Sequence, residues 1–189
     1  MPVSINQFKI GLTILIDGEV YQIVEVEHVK PGKGAAFVRT KLKNIKNGTL
    51  IERTFRGEEK IEEAFIEEER LQYLYNSADA YHFMQLDNFE EIIIPKEILG
   101  DKVLFLKDNL EVVALVYKGE ILSVSLPNFI EMEVVYTEES VKGDTVKAGT
   151  KPAKLETGVV VDVPLFIKKG DVIKVDTRTK EYVERLFTS

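Results

Sequence analysis

Cysteine is absent from the 189-residue chain, and histidine occurs only twice, at His28 and His82. The first absence excludes disulfides and thiolate metal ligation, and nothing in the composition points to an oxidising compartment. The second leaves little for acid–base or nucleophilic chemistry near neutral pH. His28 stands beside Glu27 at the end of a strand-like run, and His82 lies within Tyr81-His82-Phe83; both read as structural. There is no HExxH, no Gly-x-Ser-x-Gly and no histidine placed near a candidate serine. Glutamates are abundant, but spacing alone does not pair them as catalytic acids. No enzyme activity, cofactor or metal is expected.

Long apolar runs are also missing. The stretch Val112 to Tyr117 is far shorter than the roughly 20 residues of a membrane-spanning helix. Residues Met1 to Lys9 lack the basic and apolar regions of a secretory signal. A soluble, cytoplasmic, monomeric protein without a membrane partner is the expectation. Amphipathic helical periodicity is scarce as well, apart from one turn over Pro95 to Gly100, with Pro near its start and Gly at its end.

What the chain has is strand patterning, turn signals and an uneven charge distribution. The net charge is −7. Residues 28–56 nevertheless carry Lys30, Lys33, Arg39, Lys41, Lys43, Lys46, Arg53 and Arg56 against the single acid Glu52. Residues 65–127 are acidic, and residues 128–189 are nearly balanced. A basic end on an acidic body suits contact with a phosphate backbone while limiting nonspecific adhesion. Solvated strand faces of differing sign account for the same numbers.

Taken in order, residues 11–16, 20–26, 35–43 and 50–56 alternate as strands, with turns at Asp17-Gly18 and Asn47-Gly48. This pattern predicts a small SH3-like barrel over residues 1–64, closed by an acidic boundary at 57–70. A second small barrel is expected over 65–127, with strands including Val103 to Leu106 and a hairpin around Lys118-Gly119-Glu120. A third is expected over 128–189, opening on the alternating run Phe129 to Tyr136, with a long loop over 137–154. The fold class is therefore all-β, with three small barrels, the last two of OB type.

One hairpin stands out. Lys30-Pro31-Gly32-Lys33-Gly34 joins two strand-like runs. Gly32 and Gly34 permit positive φ on both sides of Lys33, and Pro31 stiffens the approach. On the following strand Val38, Thr40 and Leu42 face one way, and Phe37, Arg39, Lys41 and Lys43 the other. Gly32-Lys33-Gly34 is no P-loop, because neither a Ser/Thr nor a helix follows the lysine. Taken alone, the segment also reads as an ordinary solvated turn.

With Ala35 and Ala36 the tip resembles the first-domain loop of bacterial translation elongation factor P. Gly143-Asp144-Thr145 resembles the family's third-domain loop, and Lys151-Pro152-Ala153, Gly158, Val161, Val163-Pro164, Ile167 and Gly170 are similar to its C-terminal signature. The resemblance implies a KOW-type first domain and two OB-folds in an L-shaped, tRNA-like arrangement. It implies binding to the 70S ribosome between the P and E sites, beside P-site peptidyl-tRNA, to relieve stalling at consecutive prolines. Lys33 would reach the peptidyl transferase centre, either bare or extended by a modifying enzyme through β-lysylation or an aminopentanol-type addition. Arg39, Lys41, Lys43, Arg53 and Arg56 would contact tRNA phosphates, and Gly143, Asp144 and Thr145 the small subunit near the E-site codon. The alternative is an OB-fold module that binds single-stranded RNA off the ribosome through Tyr73, Tyr75, Tyr81 and Phe83, although the acidity of the middle barrel counts against it.

Overall fold

The computed structural model describes residues 1–139 and 149–189; the Gly143-Asp144-Thr145 loop lies outside the described residues. Among these residues the chain forms sixteen strands and very little helix. The first sheet uses β1 (Pro2–Ser4), β2 (Thr13–Ile16), β3 (Glu19–Val29), β4 (Phe37–Asn44), β5 (Leu50–Arg56) and β6 (Lys60–Glu63), in the order β1-β6-β2-β3-β4-β5. The second uses β7 (Glu67–Ser77), β8 (Ala80–Gln85), β9 (Glu91–Pro95), β10 (Glu111–Tyr117) and β11 (Glu120–Ser125), in the order β11-β10-β7-β8-β9. The third uses β12 (Phe129–Thr137), β13 (Thr150–Leu155), β14 (Val160–Pro164), β15 (Val172–Asp176) and β16 (Glu181–Phe187), in the order β14-β13-β12-β15-β16. The all-β reading with small curled sheets is correct. By packing, the chain divides into two compact units, residues 1–69 with 114–124, and residues 70–113 with 125–189.

In the first unit, alternation places Ile14, Ile23, Val38, Leu42 and Phe55 in a closed core. The Phe8 ring meets Phe55 edge-on, with centroids 5.1 Å apart and planes at 82°. Val20, Ala64 and Leu122 form a second buried cluster in the same unit. The acidic stretch read as a boundary is partly strand. β6 pairs with both β1 and β2, which makes the sheet six-stranded. Its carboxylates obscured the pattern. Ile61 packs against the core while Glu62 stays exposed, which a net-charge reading does not separate.

In the second unit, two further expectations fail. Val103 to Leu106 is not a strand; residues Gly100–Phe105 form a 3-10 helix after the single α-helical turn α1 (Lys96–Leu99). Short apolar runs do not distinguish strand from helix by periodicity. Here Gly100 takes φ +56°, and Phe105 enters the core formed by Ile130, Met132, Val134 and Ile173. The Thr157 hydroxyl donates to the Leu104 carbonyl at 2.5 Å, and Lys107 Nζ to the Glu131 carbonyl at 2.5 Å, fixing this insertion. The expected loop over 137–154 ends early, because β13 begins at Thr150 in spite of Pro152. Lys151, Ala153 and Leu155 alternate inward, and that burial outweighs the missing proline donor.

The residues resembling the C-terminal signature are mostly structural. Ala153, Val161, Val163 and Ile167 are core residues, and Gly158 and Gly170 occupy turns at φ +91°. A Cβ at Gly170 would stand 2.7 Å from that of Ser189. Buried Lys151 donates from Nζ to the Glu138 carbonyl at 2.8 Å. Buried Asp171 accepts from the Lys168 and Ser189 amides at 2.9 and 3.1 Å.

Phe55→Ala should be among the most damaging substitutions in the first unit. It removes a fully buried ring and its edge contact, at a cost of about 3–5 kcal/mol, read as a lower urea midpoint.

Candidate nucleic-acid interface

β3 and β4 pair antiparallel up to Val29 and Phe37, and residues 30–36 cross between them. Lys30, Pro31, Gly32, Lys33 and Gly34 are all exposed. Only Gly34 takes positive φ, at +107°; Gly32 does not, so one of the two glycines is required by backbone geometry. The base of the hairpin has a tie that the sequence reading missed. His28 Nε2 donates to the Phe8 carbonyl at 3.0 Å, linking the end of β3 to the segment whose ring packs on Phe55. A lone histidine beside a glutamate carried no signal for that bond, because Phe8 is twenty residues away in sequence.

The register across β3, β4 and β5 determines what each cation faces. Glu25, Lys41 and Glu52 form one row, and Glu27, Arg39 and Thr54 the next. Val29, Phe37 and Arg56 form the row nearest the tip. Lys41 lies 3.2 Å from Glu25, and Arg39 lies 3.6 Å from Glu27. The two middle cations are therefore neutralised by strand neighbours, along a shallow cleft of about 550 Å³ lined by both signs. These exposed pairs contribute little stability, within about 1 kcal/mol each. Their main effect is to remove net positive charge from the middle of the face.

Arg53 does not share that face. It is in register with buried Thr40, lies 4.7 Å from the Phe55 ring centroid and pairs with Glu59 at 3.7 Å. Glu59 Oε1 also accepts from the Arg56 amide at 3.0 Å, so Arg53 and Glu59 brace the β5–β6 turn. Counting cations on β5 grouped Arg53 with Arg56, but strand alternation places their side chains on opposite faces. Among the described residues, Lys30, Lys33, Lys43, Lys46 and Arg56 make no ion pair. Lys30, Lys33 and Arg56 gather at the tip end of the sheet, and Lys43 and Lys46 lie at the far end. Arg39 also lies 5.4 Å from the Phe37 ring centroid.

The aromatic residues of the second sheet do not form a platform of four. Tyr73 and Phe83 are buried, with ring centroids 5.5 Å apart. Burial, followed by the charges of Tyr81 and Asp108, raises the Tyr73 hydroxyl above its usual pKa. Only Tyr75 is exposed, and it is stacked on His82. No group of metal-ligating side chains occurs among the described residues.

An all-β chain whose first sheet presents a cationic hairpin tip, followed by two further small five-stranded sheets, has the make-up of a protein built from small β-barrel modules with a local basic footprint. Residues 4–61 match the elongation factor P KOW-like domain, residues 66–124 its OB domain and residues 130–185 its C-terminal domain. The chain is 55% identical to elongation factor P of Moorella thermoacetica over 183 residues, covering 97% of this chain and 99% of that protein. It is 53% identical to elongation factor P of Natranaerobius thermophilus, with 97% and 98% covered. Among solved structures, the eukaryotic translation initiation factor 5A from Methanococcus jannaschii superposes with a TM-score of 0.53 at 26% identity, covering 66% of this chain and 93% of that one. The chain belongs to the elongation factor P family of translation elongation factors.

The glycines give a direct check on the tip geometry. Gly34→Ala should strain the hairpin by about 1 kcal/mol or more, while Gly32→Ala, with nothing within 4 Å of its added Cβ, should be nearly neutral. Amide hydrogen exchange at Ala35 to Phe37 reads the difference.

Proposed function

We propose that the protein binds the 70S ribosome between the P and E sites and holds P-site peptidyl-tRNA in a reactive geometry, relieving stalling at consecutive prolines. The carrying observation is the uncompensated cationic tip, Lys30, Lys33 and Arg56, at the end of a hairpin fastened at its base by His28. Membership of the elongation factor P family supports the translation role. Three modules, 1–64, 65–127 and 128–189, are supported by the three sheets and by the ranges of the three domain matches.

Proline is a poor acceptor because its ring constrains the attacking amine. A factor that orders a flexible peptidyl-tRNA end lowers the barrier by positioning alone. A misplacement of about 1 Å can cost ~100-fold in rate, so ordering is a sufficient mechanism. The protein contributes no chemistry of its own in this reading. Lys33 is the residue that enters the peptidyl transferase centre, bare or extended by a modifying enzyme. Arg56 and Lys43 meet phosphates directly. Arg39 and Lys41 do so by exchanging Glu27 and Glu25 for phosphate, and Arg53 serves by bracing Arg56. Gly143, Asp144 and Thr145 contact the small subunit.

In reconstituted translation, Lys33→Ala should slow synthesis through Pro-Pro-Pro by at least ~10-fold relative to the unsubstituted protein and leave a proline-free message unchanged. Equal rates on the polyproline message would refute the proposal. The salt dependence of tRNA binding separates the cations. Arg56→Ala should lower the slope of log K against log salt by roughly 0.7–0.9, as expected for one lost phosphate contact, whereas Arg53→Ala should leave the slope nearly unchanged.

A further inference from the structure

The outer face of β7, β8 and β9 presents a built feature that the hairpin reading does not use. Tyr75 and His82 are cross-strand partners, with parallel rings 4.3 Å apart and 12° between planes. Glu91 on β9 ties them together, because its Oε1 accepts from His82 Nδ1 at 2.5 Å and from the Tyr75 hydroxyl at 3.4 Å. Its Oε2 has no partner among the described residues. Despite these ties Tyr75 remains 50% exposed, and Ile93, in register with His82, is 58% exposed. β9 is the edge strand of the sheet.

The turn leading into β9 is also unusual. Phe89 is held at φ +61°, in a region that bulky residues avoid, yet the residue is 73% exposed. Backbone bonds impose this geometry, with the Phe89 amide donating to Gln85 at 2.9 Å and the Gln85 amide to Glu90 at 2.8 Å. Strained backbone conformations recur at ligand and contact sites, and here the strained residue adds exposed apolar surface beside Tyr75 and Ile93 on the same sheet. Asp87, Glu90 and Glu91 flank it within a region of twelve acidic and five basic residues, 65–127.

A flat π surface rimmed by a half-free carboxylate suits a guanidinium, which stacks on the ring and donates in-plane hydrogen bonds to the carboxylate. An ammonium lacks the planar fork. A nucleobase also stacks on aromatic rings, but its phosphates would meet the surrounding carboxylates. We propose that this face is a docking surface for an arginine-bearing segment of a basic protein partner. The guanidinium lies on Tyr75 and bonds Glu91, while Phe89 and Ile93 supply apolar flanks. This surface is independent of the Lys33 hairpin.

The test is titration of the full chain with two short peptides of equal charge, one carrying arginine and one lysine, followed by NMR at the Tyr75 and His82 rings. The arginine peptide should shift both rings and bind at least about threefold tighter than the lysine peptide. Tyr75→Phe should keep that preference, and Tyr75→Leu should abolish it. Should Tyr75→Leu lower thermal stability, Glu91→Gln is the second variant and should also reduce the preference. Equal affinity for the two peptides, unmoved ring signals, or a single-stranded RNA oligonucleotide that binds these rings more tightly than the arginine peptide would each overturn the proposal.

Discussion

The antiparallel pairing of β3 with β4 is the constraint on which the rest of the first unit depends. Its register sends Val38 and Leu42 into the core and sets Arg39 and Lys41 beside Glu27 and Glu25. It also places the crossing at residues 30–36, so Lys33 stands at the tip and not along the face. A slip of one residue would reverse every side chain on β4, burying the cations and exposing the apolar residues. The core contact of Phe8 with Phe55 and the His28 bond to Phe8 reinforce that same register from behind. Stability and candidate function therefore rest on one set of backbone hydrogen bonds.

Charge on this face is distributed by pairing and not by abundance. The middle rows are locally neutral, and only the rows toward the ends present unopposed cations. Such an arrangement favours an end-on contact with phosphates over broad adhesion along the sheet, because screened, paired charges exert little attraction beyond a Debye length of about 8–10 Å. The acidity of residues 65–127 acts in the same direction. It leaves that region unsuited to a nucleic acid and suited to a basic protein, so two surfaces of opposite sign can engage two kinds of partner.

In the second unit the Gly100–Phe105 helix serves as a plug. Phe105 belongs to the core formed with Ile130 and Met132, although in sequence it lies between β9 and β10 of the second sheet. Thr157 and Lys107 satisfy the backbone carbonyls beside it. Buried Lys151 and Asp171 belong to the same logic, each held by backbone groups. The resemblance in this part of the chain thus rests largely on residues that define turns and core packing.

The all-β class, the three groups of strands, the single helical turn and the cationic hairpin follow from the amino-acid sequence alone. Each of these is encoded locally, in alternation, turn residues and charge runs. The sequence also carried the motifs that resemble the elongation factor P family. Other features arise only once the strands pair and pack. β6 hid within an acidic stretch, because its partners β1 and β2 lie far away in sequence. Arg53 separated from Arg56 once register assigned faces. Two of the cations grouped by counting turned out to be neutralised by glutamates on a neighbouring strand. The stacked Tyr75, His82 and Glu91 came together from three strands. Local pattern specifies what each strand can bury, whereas the identity of a residue's neighbours depends on pairing between strands, and a single sequence does not state that pairing.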